Sequence, residues 1–352
     1  MLRRACLFLL PACVWAQLAP EKIQKIEQFI AEQMSADSIP AVSAAVAVNG
    51  QMQWQQGFGF QDLENYIPAR ATTMYRLGSI SKPITAVAAL QLWERGKLDL
   101  DAPVQKYVPS FPEKPEGRVT VRLLLAHLGG VRHYREGEID SIRTFDDVLA
   151  PLEIFKNDPL EAAPGTKYIY TTYGYNLVGA AVEAAAGKRF LEFVRESVFQ
   201  PAGMDRIRDD SRWAVIPNRA RGYSKRGDGV VVNTGFADTS NKVPGGGMIG
   251  TAGDLIKFAL AVRDGRLLRR ETLDVMWTKQ RLKNGKESSY GLGWNVEPNG
   301  RGLIVNHSGG QQGCSTMLIL NVRTGNAVAV MANMDGVGAG SLARRILALL
   351  DE

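Results

Sequence analysis

Tyr75-Arg76-Leu77-Gly78-Ser79-Ile80-Ser81-Lys82-Pro83-Ile84-Thr85-Ala86 is the stretch on which the reading of this chain turns. An apolar-periodic run follows it, so a helix is expected to open near Ser79. Residues three apart on a helix share a face, which puts the Ser79 hydroxyl beside the Lys82 ammonium. The helix start also offers free N–H groups and a positive dipole end where an oxyanion would form. A weak nucleophile, a nearby amine and aimed donors are what acyl transfer through serine requires. Taken alone, Ser-x-x-Lys is equally an N-capping serine beside a solvated lysine, so its partners further along the chain decide.

The first partner region is Ala163-Pro164-Gly165-Thr166-Lys167-Tyr168-Ile169-Tyr170-Thr171-Thr172-Tyr173-Gly174-Tyr175-Asn176. Pro164-Gly165 marks a turn, and Tyr175, Val178, Val182 and Ala185 recur at helical spacing up to Gly187. Tyr170 therefore falls on a short loop just before a helix, where a phenol can relay a proton beside a lysine. A half-buried structural tyrosine is the plain alternative, and Thr172 reads equally as an N-cap. The second partner region is Val305-Asn306-His307-Ser308-Gly309-Gly310-Gln311-Gln312-Gly313. Here a strand runs into glycines, so backbone can approach a ligand and an open strand edge can align an extended acyl chain. The alternative is a tight turn carrying a surface histidine.

Composition bounds the rest. The chain has 352 residues, 45% hydrophobic and 22% charged, enough for a large core and without a disorder signature. Residues 1–16 read as a secretory signal peptide: Arg3 and Arg4 precede the apolar run Ala5 to Trp15, which is too short to span a membrane. Leu10-Pro11-Ala12-Cys13 is the competing reading, a lipoprotein site that would lipidate Cys13. Either way the protein is expected to be exported, periplasmic or extracellular, with no transmembrane segment. The net charge of +6 includes the two leader arginines, and the other basic residues are scattered. No nucleic-acid partner is expected. Cys6 and Cys13 leave with the leader, so Cys314 remains as a lone thiol. The three histidines, His127, His133 and His307, show no metal-ligand spacing, and no cofactor is expected.

Glu21 to Met34 reads as a helix, and Ala41–Val48 with Gln51–Gln56 as a hairpin about Asn49-Gly50. Tyr290–Val296, Leu303–Asn306, Ser315–Leu320 and Ala327–Met331 read as strands, and Ser341 to Leu350 as a closing helix. The fold class is therefore α+β. A mixed or antiparallel sheet from both chain ends, about residues 20–78 and 285–350, is flanked by helices, and a mostly helical lobe, about 79–284, is inserted. The cleft is expected where lobe and sheet meet.

In this order, Ser79-x-x-Lys82, Tyr170-Thr171-Thr172 and His307-Ser308-Gly309 resemble the motifs of the penicillin-recognising serine hydrolases. That family holds class C β-lactamases, DD-peptidases and β-lactamase-like esterases. The similarity spans roughly residues 20–350 and is strongest to the serine β-lactamase-like, mitochondrial-type branch. It takes in Trp93–Asp101, Leu123–Tyr134 and Gly245-Gly246-Gly247-Met248 through Asp254. The resemblance implies the β-lactamase/transpeptidase fold, Ser79 as nucleophile, Lys82 as general base and Tyr170 as proton relay. It places His307 where a lysine is usual, and implies an oxyanion hole from the backbone N–H groups of Ser79 and Gly310, with Thr172 and Gly309 against the substrate.

Two departures bear on substrate. Thr172 replaces the asparagine that holds a substrate amide, and His307 replaces a permanent charge by one that titrates near neutrality. Glu153-Ile154-Phe155-Lys156-Asn157 resembles a class A deacylation motif but precedes Tyr170, so it reads as helix surface. His127 is expected to tie down its own loop. Arg132, His133 and Tyr134 read as solvated loop residues that could line the cleft entrance, Gly245–Gly247 as a pocket rim, and Thr251 and Asp254 as the cap and third residue of the next helix. The expected protein is an exported serine hydrolase, a peptidase, amidase or esterase acting on a small peptide or acyl-ester substrate. A true β-lactamase and a catalytically silent scaffold or ligand sensor are the alternatives.

Overall fold

At Asn49-Gly50 the backbone takes φ of 51° and 78°, the left-handed pair that a two-residue hairpin needs. The turn joins β1 (Ala41–Val48) to β2 (Gln51–Asp62). The computed structural model describes residues 18–300 and 302–352. The expected leader, residues 1–16 with Cys6 and Cys13, lies outside the described residues.

The hairpin and β3 (Ile67–Pro68) join four strands from the other end of the chain: β4 (Asn295–Asn299), β5 (Gly302–Gln311), β6 (Cys314–Asn321) and β7 (Ala327–Ala332). They form one seven-stranded sheet in the order β3-β2-β1-β7-β6-β5-β4, antiparallel at every pairing. The two chain ends meet where β1 pairs β7, with Val42 opposite Ala332 and Ala47 opposite Ala327. Strand alternation sends Val42, Ala44, Val46, Ile319, Val328 and Val330 into one core and Ala45, Ala47, Leu318, Leu320, Ala327 and Ala329 into another. Both faces of the central strands are apolar, so both must be covered.

The terminal helices, Pro20–Asp37 and Ala339–Asp351, cover one face through Ile26, Ile30, Leu342, Ile346 and Leu350. Each such side chain contributes about 1.5–3 kcal/mol by leaving water. Helix Ala252–Arg263 packs on β1 and β7 at the other face, opened by the expected Thr251–Asp254 capping box. Although it lies within residues 79–284, this helix therefore packs with the sheet. The same stretch also carries the short strands Arg208–Asp209, Tyr223–Lys225, Val231–Asn233 and Met248–Gly250. At its centre, helix Ser81–Glu94 is buried at every position from Ser81 to Leu92. A helix enclosed on all sides is a rigid base for whatever stands at its start.

β2 runs on to Asp62, beyond the expected Gln56, and two further strand boundaries that differ from expectation bear on the site. β4 begins only at Asn295, because the backbone before it bonds toward the helical side: Leu292 N–H to Met276 O (2.8 Å) and Gly293 N–H to Leu125 O (3.2 Å). Tyr290 is thus a buried loop residue. β5, in contrast, runs on through the glycines to Gln311, paired with β6 throughout. β4 covers it only as far as Asn306, so from His307 to Gln311 its outer edge has no strand neighbour. No helix among the described residues is long and apolar enough to cross a membrane.

Candidate active site

Ser79 stands in a 3₁₀ turn, Gly78–Ile80, and the α-helix starts at Ser81. Gly78 has φ of 53°, and a Cβ there would lie 2.8 Å from the Gly310 backbone nitrogen. A Cβ on Gly309 would lie 2.0 Å from the Leu77 carbonyl oxygen and 2.3 Å from Thr316 Oγ1. Real Cβ atoms are never that close, so these two glycines let the open edge of β5 lie against the turn that carries Ser79. Thr316 fastens the contact by donating to the Leu77 carbonyl (2.8 Å). The Gly310 backbone nitrogen is thereby brought beside the turn that carries Ser79.

Lys82 is fully buried and has three partners: Ser79 Oγ at 2.9 Å, Thr172 Oγ1 at 3.1 Å and the Gly245 carbonyl at 2.7 Å. Burial, reinforced by the charge of Lys242, holds its amine well below the ordinary lysine range. A neutral amine has two N–H groups and one lone pair. When the amine is neutral, the Gly245 carbonyl and Thr172 can take its two N–H groups, which leaves the lone pair for the Ser79 hydroxyl. That is the arrangement a base needs. Lys242, which sequence reading passed over, is itself buried. It donates to the Ile139 carbonyl (2.8 Å), and burial with the charge of Arg76 lowers it to about 8.

Tyr170 reaches the same hydroxyl. Burial raises its phenol above the ordinary range, and its hydrogen bond with Ser79 opposes that rise without cancelling it. It therefore stays protonated near neutral pH. Its ring lies 4.8 Å from Lys82 Nζ. His127 holds this loop: its carbonyl accepts the Ile169 N–H (2.9 Å) and its Nδ1 accepts the Thr171 N–H (3.1 Å). His127 thus ties the Tyr170 loop rather than its own. Its Nε2–H is buried without a hydrogen-bond partner among the described residues, enclosed by the rings of Tyr168, Tyr170, Tyr175 and Tyr290.

The cap of helix Thr172–Ala186 is Thr171, not Thr172: its extended backbone lets its hydroxyl accept the Gly174 N–H. Thr172 is buried, its hydroxyl occupied by Lys82 and by the Tyr134 hydroxyl. His307 is 2% exposed. Its Nδ1–H donates to the Ser308 carbonyl (2.6 Å), so Nε2 accepts the Tyr290 hydroxyl (2.7 Å). Burial, then the charge of Lys82, pushes this imidazole down to about 3. Tyr290, read from the sequence as a strand residue, is a wall of the site.

Other residues lie away from the expected places. Gly245–Gly247 are buried as floor, with the Gly246 carbonyl accepting from Gln311 (3.1 Å). Arg132 is buried in ion pairs with Glu138 (2.7 Å) and Asp158 (2.6 Å). Glu153 pairs with Lys156 on the surface, as expected. Cys314 is buried as a free thiol. Among the described residues no group of histidine, cysteine and carboxylate side chains is arranged to hold a metal ion.

Comparison with known proteins bears on the family and the fold. Residues 26–351 match the family model described as Beta-lactamase. Over 89% of this chain and 77% of the relative, the sequence is 31% identical to the human serine beta-lactamase-like protein LACTB, mitochondrial. The octameric penicillin-binding protein homologue of Pyrococcus abyssi superimposes with a TM-score of 0.80 at 28% identity, over 93% of this chain and 77% of that one. The D-amino acid amidase of Ochrobactrum anthropi SV3 shares the fold at a TM-score of 0.82 and 22% identity, over 94% and 99% of the two chains.

Proposed function

Because this chain belongs to the beta-lactamase family of serine hydrolases, we propose that it hydrolyses small peptide amides or acyl esters through an acyl-enzyme on Ser79. The observation that carries the reading is the buried Lys82 amine 2.9 Å from Ser79 Oγ, with its two other partners placed to leave the lone pair toward that oxygen. Lys82 takes the Ser79 proton as Oγ adds to the acyl carbonyl carbon. The carbonyl electron pair moves to oxygen, where the N–H groups of Ser79 and Gly310 receive it. The Tyr170 hydroxyl relays the proton from Lys82 to the departing amine or alkoxide. Water then releases the acyl group by the reverse sequence.

The cleft offers neither an asparagine at position 172 nor a charged side chain at position 307. A missing charge-assisted hydrogen bond is worth roughly 1.5–3 kcal/mol, or about 10–150-fold in rate. We therefore expect feeble turnover of β-lactams beside clear hydrolysis of activated esters or uncharged peptide amides. Cephalosporin hydrolysis faster than ester hydrolysis would restore the β-lactamase alternative. Ser79→Ala should lose activity by several orders of magnitude, about 10⁶-fold in a studied serine protease. A fluorophosphonate probe should label wild type at Ser79, read by peptide mass. Ester hydrolysis by Ser79→Ala at the wild-type rate would falsify the mechanism, and an unlabelled, inert wild type would favour the silent scaffold.

Export through a leader at residues 1–16 belongs to the same proposal. The intact mass of protein recovered from the expressing cell tests it. A chain beginning near Gln17 supports it, a lipid mass on Cys13 selects the lipoprotein form, and an uncut amino terminus rejects it.

A further inference from the structure

We propose that His133 is the hydrogen-bond donor that holds the acyl portion of the substrate, a specificity role that rests on the acyl-enzyme reading above. Three polar side chains beside Ser79 and Lys82 are already engaged. The Thr172 hydroxyl meets Lys82 and Tyr134. Both nitrogens of His307 have protein partners, and the Tyr170 phenol serves Ser79. His133 differs, because only one of its nitrogens is occupied. The Thr172 N–H donates to its Nδ1 (3.3 Å), which leaves the proton of the neutral ring on Nε2. Nε2 has no protein partner among the described residues, and the side chain keeps partial exposure.

Position and rigidity favour a binding role. The ring stands edge-on to Tyr170 with centroids 5.7 Å apart, and packs on Tyr134 at 4.3 Å. It is therefore held between the residue that bonds Ser79 and the residue that bonds Thr172, with little freedom left to lose on binding. Burial and the charge of Lys82 lower this imidazole to about 4, so near neutral pH it offers a neutral N–H. Such a donor recognises a carbonyl oxygen, as in an amide a few bonds from the reacting carbonyl, without selecting for negative charge.

The test uses the full chain and two p-nitrophenyl esters of equal acyl length, N-acetylglycinate with an amide and pentanoate without one. His133→Phe keeps the ring packing and removes the donor; His133→Gln keeps an N–H donor and a carbonyl acceptor. The expected result is a fall of about 2–10-fold in kcat/KM for the acetylglycyl ester relative to pentanoate in His133→Phe, largely restored in His133→Gln. An unchanged ratio between the esters overturns the proposal. So does an equal fall for both, which would mean that His133 acts only by positioning Thr172 and Lys82. A wild type inert to both esters and to a fluorophosphonate would reject the hydrolase reading itself, and the donor role with it.

Discussion

The Tyr290 hydroxyl donates to Nε2 of His307 across 2.7 Å, inside a wall where the imidazole is 2% exposed. The ring that stands in a lysine's usual place is therefore neutral and internally satisfied. Tyr290→Phe would leave a buried acceptor unpaired, at a cost of about 1–3 kcal/mol. We expect a lower Tm in thermal denaturation together with a reduced kcat. A variant as stable as wild type would show that this bond is not what holds the wall.

Lys242 acts on Lys82 through charge. Lys82 can accept a proton only while neutral, so activity should fall as pH drops through its pKa. Removing a neighbouring positive charge raises that pKa. Lys242→Met should therefore move the acid limb of the kcat/KM profile to higher pH, with the plateau largely kept. An acid limb that stays in place would show that burial alone sets the Lys82 amine.

Two adjacent glycines should respond oppositely to a methyl group. A Cβ at Gly309 meets the Leu77 carbonyl at 2.0 Å, whereas one at Gly310 meets nothing within 4 Å. Gly309→Ala should force β5 away from the Ser79 turn, costing about 1–3 kcal/mol or more, and should depress activity beyond its effect on Tm. Gly310→Ala should melt close to wild type. Equal melting temperatures for the two variants would contradict the close approach.

Arg132 is buried between two carboxylates. Burial alone would raise Glu138 and Asp158, but the hydrogen bonds from Arg132 outweigh it and hold both below the ordinary carboxylate range. Groups lowered in this way stabilise the fold above their unfolded pKa values, about 4, and lose that contribution as pH falls through the folded ones. Arg132→Met should cost about 1.5–3 kcal/mol at neutral pH by removing its charged hydrogen bonds to Glu138 and to Asp158, which keeps Arg135. Its Tm should also fall less steeply than wild type's on acidification, which differential scanning calorimetry at several pH values would reveal.

Much of the architecture was legible in local patterns. Asn49-Gly50 announced its hairpin, the period-two strands at both ends announced a shared sheet, and Thr251 to Asp254 announced a cap. These signals depend on neighbours a few residues apart, which a sequence displays directly. The same locality explains the misplaced boundaries. Residues 290–294 look like a strand, but their backbone bonds go to Met276 and Leu125, partners that no window along the chain contains.

For the site, the sequence by itself determined which groups are present: Ser79 and Lys82 one helical turn apart, Tyr170 on its loop, and a histidine where a lysine is usual. Only the tertiary structure decided the state of each. The Lys82 amine is held well below the ordinary lysine range by burial and by the charge of Lys242, a residue remote in sequence. Thr172 is occupied because Tyr134 folds against it, and His307 is silent because Tyr290 arrives from a loop seventeen residues earlier. Charge and hydrogen-bond availability depend on burial and on partners remote in sequence. The residue list could therefore name the chemistry, while the protonation of Lys82 and the occupied Thr172 and His307 had to come from the fold.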